Sequence, residues 1–346
     1  MSPPTNDPKP RHSTGPSPTG SPTRQYKPVD LTGLRLQSVH DRKHLSQIEH
    51  FAGTPAAGAS FAEWLASLPD VLGARRLRAA IEAIVAARQA RRPVDFAMGG
   101  HVVKVGCAPA VIDLMRRGIV TAIACHGATA IHDVELAMLG ATSEDVGETI
   151  KDGRFGMVRE TAVFFAEAAA AAERNDVGYG EAIGRLILDK HLPHQDVSIL
   201  AAAARLGIPA TVHVAIGTDT VHMPGIADGA QIGRATMVDF RLLCSVVRDM
   251  GSETPDGPCG VWVNVGSAVL LPEVFLKAVS IARNLGAKLD RLTTVNLDML
   301  RQYRTSRNVV GRPVEPERGH DIAGHHEILI PLLRQALIER FAGTKT

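Results

Sequence analysis

From residue 93 onward the chain alternates short apolar runs with longer stretches of helical spacing. PVDFAMGGH reads as a strand ending in glycines, APAVIDLMRRG as a helix, and IVTAIACHGATA as a second strand with a glycine turn. RLGIPATVHVAIG, GVWVNVGSAV and LDRLTTVNLDM repeat the strand-then-loop pattern, and AGHHEILIPLLRQALIERF closes the chain with a short strand-like entry and a helix. The strand runs are continuously apolar rather than alternating, as expected of parallel strands covered by helices on both faces. The pattern predicts an α/β fold, a Rossmann-like doubly wound parallel sheet over residues 93–346. Residues 31–92 read as an N-terminal helical extension. Within it, FAEWLASLPDVLGARRLRAAIEAIVAARQARR has helical periodicity and is divided by Pro69 and Gly73. Residues 1–30 hold eight of the 21 prolines and read as a disordered tail, too polar to offset its chain entropy.

Composition narrows the class. Lys and Arg number 38 against 36 Asp and Glu, and the excess of two falls within the first thirty residues. A balanced body with only 4% aromatics argues against nucleic acid or an anionic membrane as partner. The four cysteines, Cys107, Cys125, Cys244 and Cys259, are dispersed and form no CxxC. No apolar run approaches twenty residues and no signal-peptide core follows Met1. A soluble, cytoplasmic protein is expected.

In a doubly wound sheet, ligands bind beyond the carboxyl ends of the strands. The first strand end carries Gly99, Gly100 and Lys104; the second His126, Gly127, Ala128 and Thr129, then His132 and Asp133. The third carries His213, Thr218, Asp219 and His222; the fourth Gly266, Ser267 and Glu273; the fifth Asn296 and Asp298. Small residues there let backbone N–H groups approach a phosphate, and an acid can hold ribose hydroxyls. For any one glycine, ordinary turn chemistry explains it as well. GGHVVKVG does not match GxGxxG, and no Walker sequence is present. The histidines lack compact metal spacing such as HExxH, so proton transfer or hydrogen bonding is favoured over metal ligation. Lys104 suits a phosphate contact or a Schiff base. Glu273 and Lys277, four apart on a helix, suit a surface ion pair.

At TAIACHGATAIHDVELA the sequence resembles the deoxyhypusine synthase family, whose members carry a Thr-Thr-Ala-Gly-Gly turn and a Glu-Glu-Asp stretch here. Residues 125–129 occupy the turn, Asp133 matches the last acid, and Ile131 replaces the first. GIPATVHVAIGTDT, VWVNVGSAVLLPEV, LTTVNLDM and HHEILIPLL are similar to later family segments in the same order, over roughly residues 93–340. The resemblance implies an NAD-binding sheet of the deoxyhypusine synthase type and a homotetramer with sites at a dimer interface. It also implies a small cationic amine substrate carried on an active-site lysine. Cofactor contacts are expected from Gly99, Gly100, His126, Gly127, Ala128, Thr129, Thr218, Asp219, Gly266, Ser267, Asn296 and Asp298. Substrate-holding acids are expected at Asp133, Asp219 or Glu273, and proton-moving histidines at His132, His213 or His222. The alignment places Leu270 where the family has its lysine, and an aliphatic side chain cannot form a Schiff base. The expectation is therefore a deoxyhypusine-synthase-like, NAD-dependent enzyme acting on a polyamine or amino-acid-like amine. Rival readings are a metal-dependent hydrolase or lyase on the same fold, and a non-catalytic sensing or partner subunit.

Overall fold

The structure, a computed structural model, describes residues 26–254 and 256–343. Residues 1–25 of the expected tail lie outside the described residues; residues 26–30 are exposed and carry no helix or strand. The chain divides into two units, one ending at Gln47 and one beginning at Ile48. In the first, the described residues form one short 3-10 turn, Val39–Asp41, capped by the Ser38 hydroxyl. The expectation of helix from residue 31 is thus corrected. The first α-helix is Phe61–Ala66, opened by a reciprocal Ser60–Glu63 capping box. The large apolar residues before it, among them Leu31, Leu34, Leu36, Leu45 and Phe51, are exposed and not gathered on a buried helix face.

The second unit is built on six parallel strands: β1 (Val94–Met98), β2 (Ala122–His126), β3 (Ala210–His213), β4 (Val261–Val265), β5 (Thr293–Asp298) and β6 (Gly319–Ala323). Their spatial order is β3-β2-β1-β4-β5-β6, so chain direction across the sheet reverses between β1 and β4. Strands β1, β4 and β5 are buried along their whole length; β1 and β4 are mostly apolar, as expected of covered parallel strands, while β5 also buries Thr293, Thr294, Asn296 and Asp298. Strand β6 was not expected. Its sequence, Gly-His-Asp-Ile-Ala, is mostly polar because it is an edge strand with a mixed burial pattern. The apolar ILIP segment expected to be strand-like instead lies inside the helix His326–Ala342, which tolerates Pro331.

Helices cover both faces. On one, Phe96, Met98, Ile123, Cys125, Val263 and Leu297 share a core with the helices Leu72–Gln89, Ala108–Arg116, Gly127–Leu139, Ile199–Leu206 and His326–Ala342. Gly73 does not break the second N-terminal helix but lies in its first turn; the break falls at Ser67–Val71, where Pro69 stands. Leu77, Ile81, Ile84 and Val85 of that helix are buried, each worth about 1.5–3 kcal/mol. On the other face, Ala97, Ala124 and Trp262 meet the helices Gly229–Asp249 and Leu270–Asn284. The Trp262 and Phe275 rings stack at 4.2 Å. Among the described residues, no helix is long and apolar enough to cross a membrane.

Candidate functional site

The reversal point between β1 and β4 is the usual ligand crevice of such a sheet. Here protein fills it. Gly99 N donates to Val265 O, and a Cβ on Gly99 would lie 2.1 Å from Gly266 O. Gly266, at φ +65°, would place a Cβ 2.6 Å from the His326 ring. That ring is buried, contacts Leu297 O through Nε2 at 3.2 Å, and meets His101 edge-on. Gly99 and Gly266 are therefore glycines because backbone and ring press against them.

Other expected residues are also committed to the scaffold. The Thr129 hydroxyl donates to Met98 O at 2.8 Å, tying the helix after β2 to the end of β1. Ser267 Oγ accepts from Leu271 N and its carbonyl accepts from Asn264 Nδ2. Asn264 Nδ2 also donates to Asn296 Oδ1 at 2.9 Å, and Asn296 Nδ2 donates to Asp321 Oδ1 at 2.9 Å. These three residues are register partners on β4, β5 and β6. Asp298, at the tip of β5, is 8% exposed and accepts from Leu300 N.

Asp133 is engaged inside the fold. It is fully buried and accepts from Ser198 Oγ at 2.6 Å, Ile199 N at 2.8 Å and Leu200 N at 3.1 Å. Its carboxyl caps the start of the helix Ile199–Leu206. Burial pushes it up to about 6, against the pull of those three donors. Glu273 is likewise engaged: Lys277 Nζ at 2.5 Å, Arg304 and Asn308 Nδ2 all donate to it. Lys277, then Arg304, hold its carboxyl below the ordinary range. Leu270 is the first residue of the helix Leu270–Asn284 and packs against the core beneath that helix.

The remaining residues converge one strand away, at the ends of β1, β2 and β3. A cavity of about 600 Å³ opens there. Its lining includes Lys104, Ala128, His132, Thr218 and Asp219 from the expected set. It also includes Glu135, Glu144, Glu160 and Thr161, which sequence reasoning missed. Gly100 packs against Ala128 and the His132 ring, and Gly127 against the Asp219 carboxylate, so both shape the cavity wall from behind. The volume suits a small-molecule site.

The acids are held in place by the fold. His132 and Glu135 stand three apart on the helix Gly127–Leu139 and share a face. Glu135 accepts from Thr142 Oγ1 at 2.5 Å and from Thr161 Oγ1 at 3.2 Å. Glu144 accepts from Gly156 N at 2.8 Å. Asp219 accepts from Ala215 N at 3.2 Å, and His222 Nδ1 lies 3.9 Å from it. The His222 side chain is 6% exposed, and both its ring nitrogens lack a hydrogen-bond partner. Burial raises the Asp219 carboxyl above its ordinary value.

Burial disfavours the charged form of three histidines, His126, His132 and His213. Burial, then the proximity of His132, pushes His126 down to about 4; burial, then Lys104, does the same to His132. His213 is buried, contacts Thr211 Oγ1 through Nε2 at 3.0 Å, and is also pushed down to about 4. It is the last residue of β3 and does not line the cavity. Among the described residues, no three His, Cys, Asp or Glu side chains are grouped so as to hold a metal ion.

Chemically, the cavity combines several carboxylates, one lysine and a neutral imidazole. The helix Gly127–Leu139 opens into it with no side-chain cap on its first N–H groups, which leaves donors for an anion.

No protein-family model matches the chain, and no curated protein does. Solved structures do. The chain is similar to unliganded AgrE at 14% identity, over 78% of this chain and 34% of AgrE, with a TM-score of 0.51. AgrE in ternary complex with ornithine and NAD+ gives 14% identity, the same coverages and a TM-score of 0.49. A "putative deoxyhypusine synthase" from Entamoeba histolytica gives 11% identity, over 82% of this chain and 94% of that one, with a TM-score of 0.46. The chain spans about a third of the length of AgrE. What it shares with these proteins is a fold: the Rossmann-like, doubly wound parallel sheet flanked by helices.

Proposed function

We propose that the chain is a deoxyhypusine-synthase-like, NAD-dependent enzyme acting on a small cationic amine or basic amino acid. The observation that carries this reading is the acidic cavity. Glu135, Glu144, Glu160 and Asp219 line one space with a single lysine, Lys104, among the described residues. Carboxylates in a partly desolvated cavity favour an ammonium or guanidinium guest. Lys104 provides a partner for a carboxylate on the same guest.

The residues present fit a dinucleotide in one respect. The first N–H groups of the helix Gly127–Leu139 would take a phosphate, and Thr218 and Asp219 would take ribose hydroxyls. NAD, when bound, supplies a hydride acceptor. The chain's own residues bind the ammonium through Glu144 and Glu160 and shield it from water with Ile131, Met138 and Phe155. Leu270 offers no nitrogen for an imine, which leaves Lys104 as the cavity's lysine. AgrE, solved with ornithine and NAD+, has the same fold and is compatible with this reading. Exposed Leu139, Val146 and Val158 on the cavity rim support a second subunit closing it, in the homotetramer that the family resemblance implies.

The test is isothermal titration of the purified chain with NAD, then with spermidine, putrescine, ornithine and arginine. We expect NAD binding and at least one amine whose affinity falls more than tenfold in Glu160→Gln. Absence of NAD binding at millimolar concentration removes the cofactor; absence of heat with every amine removes the substrate class. The metal-dependent reading finds no grouped ligands among the described residues, and the non-catalytic reading finds no observation in its favour.

A further inference from the structure

Three side chains along the cavity wall form a directed chain of hydrogen bonds. His132 Nδ1 lies 2.8 Å from Thr142 Oγ1, and Thr142 Oγ1 lies 2.5 Å from Glu135 Oε2. A hydroxyl has one proton and a carboxylate has none to give. The Thr142 proton therefore points to Glu135, and its oxygen can only accept from the imidazole. That requires Nδ1 of His132 to carry a hydrogen. Thr161 Oγ1 donates to the other Glu135 oxygen at 3.2 Å, so the carboxylate is fixed from both sides.

The tautomer decides what Nε2 can do. A neutral ring protonated on Nδ1 has a bare lone pair on Nε2. Among the described residues Nε2 of His132 has no hydrogen-bond partner, and it is not among the buried orphan atoms. The groups facing the ring are Lys104 after β1, His126 at the head of its own helix and Glu135 one turn on. Burial and Lys104 oppose a second proton on the ring.

We propose that Glu135 and Thr142 are positioning residues that lock His132 as a neutral Nδ1–H imidazole, and that its Nε2 is the acceptor for an N–H of the bound ammonium. This deepens the proposed function and rests on that reading for the identity of the guest, though not for the tautomer. A neutral acceptor suits a cationic guest: an imidazolium would repel it, and the opposite tautomer would aim an N–H at it. It also gives the site a directional contact that carboxylates, which accept from a wide range of angles, do not provide.

The experiment reads the tautomer directly. Imidazole-labelled protein is studied by 15N NMR without ligand between pH 5.5 and 8. In water, free histidine favours the Nε2–H form, so the environment must be what reverses it. We expect one His132 species with a protonated-type Nδ1 and an unprotonated-type Nε2 across the range. Thr142→Ser should keep it, and Thr142→Val should release it to a mixture or to Nε2–H. An Nε2–H species in the wild-type protein overturns the proposal whether or not any variant folds; so does a Thr142→Val protein with an unchanged spectrum. Spermidine and ornithine serve as binding probes. If they fail on the wild type, the substrate reading falls while the tautomer result stands. If one binds, its affinity should drop about tenfold in Thr142→Val and hold within twofold in Thr142→Ser; equal affinity in all three proteins overturns the acceptor role.

Discussion

A Cβ added to Gly127 would lie 2.1 Å from the Asp219 carboxylate. The head of the helix after β2 and the loop after β3 are thus in backbone-to-side-chain contact. Nothing larger than a hydrogen fits between them. Gly127→Ala must displace Asp219 from its place in the cavity wall, and with it the hydrogen bond that it accepts from Ala215 N. Overpacking of this kind costs about 1–3 kcal/mol. We expect faster hydrogen exchange over residues 215–222 and about tenfold weaker amine binding, with the helical circular dichroism unchanged. Wild-type exchange rates in the variant would show that the contact has no consequence.

Asp133 separates a structural acid from a ligand-binding one. Its three donors all belong to the start of the helix Ile199–Leu206. Asp133→Ala should cost about 3 kcal/mol in urea unfolding, with the affinity of the folded fraction for amines unaltered. A loss of affinity without a loss of stability would return Asp133 to the list of substrate contacts.

Asp95, the second residue of β1, is completely buried, and neither carboxyl oxygen has a side-chain partner. Burial pushes it up to about 7 against a backbone hydrogen bond from Ala124. The folded protein therefore holds a proton there that the unfolded chain, near the ordinary 3.8, has already lost. The resulting stability is fully present below 3.8 and is lost as pH rises to 7. Asp95→Asn should gain on the wild type by about 1.4 kcal/mol per pH unit between pH 4 and 7, and then by a constant amount. Urea midpoints at pH 4.5, 5.5, 6.5 and 8 measure this. A difference independent of pH would mean that Asp95 is ionised throughout.

Glu273 is engaged by Lys277, Arg304 and Asn308. Its side chain is 29% exposed, so the ion pairs are screened. Glu273→Gln should cost about 1 kcal/mol or less and leave amine and NAD affinities within twofold. A tenfold loss of amine affinity would place Glu273 in the site after all.

Five of the six strands were legible because each is a short buried segment bounded by turn residues, even where, as in β3 and β5, threonine, asparagine and histidine stand among the apolar residues. β6 was not, since an edge strand needs no such run: His320 and Asp321 stand where a central strand would carry valine. The carboxyl-terminal edge was also legible, as a collection of Gly, His and Asp residues at strand tips. The division of labour among them was not. Thr129, Asp133, Ser267 and Asn296 have residue types suited to ligands, yet they satisfy backbone and side-chain groups of the scaffold. Only three-dimensional packing distinguishes the two uses. Glu144 and Glu160 escaped notice because they follow the helix after β2 in a segment with no motif. Glu135 was more accessible: it stands three residues after His132, a spacing that places both on one face of a helix.

The Asn264–Asn296–Asp321 ladder fixes something that the backbone ladder leaves free. Parallel strands can slide by two residues and still keep their inward faces inward. A slide at β5 would separate Asn296 from both neighbours at once and strand two buried amides. The three side chains therefore act as a gauge mark, setting the heights to which β4, β5 and β6 rise. His326 contacts the end of β5 through Leu297 O and closes over Gly266. Sealing of the central crevice thus depends on three polar side chains that bond one another.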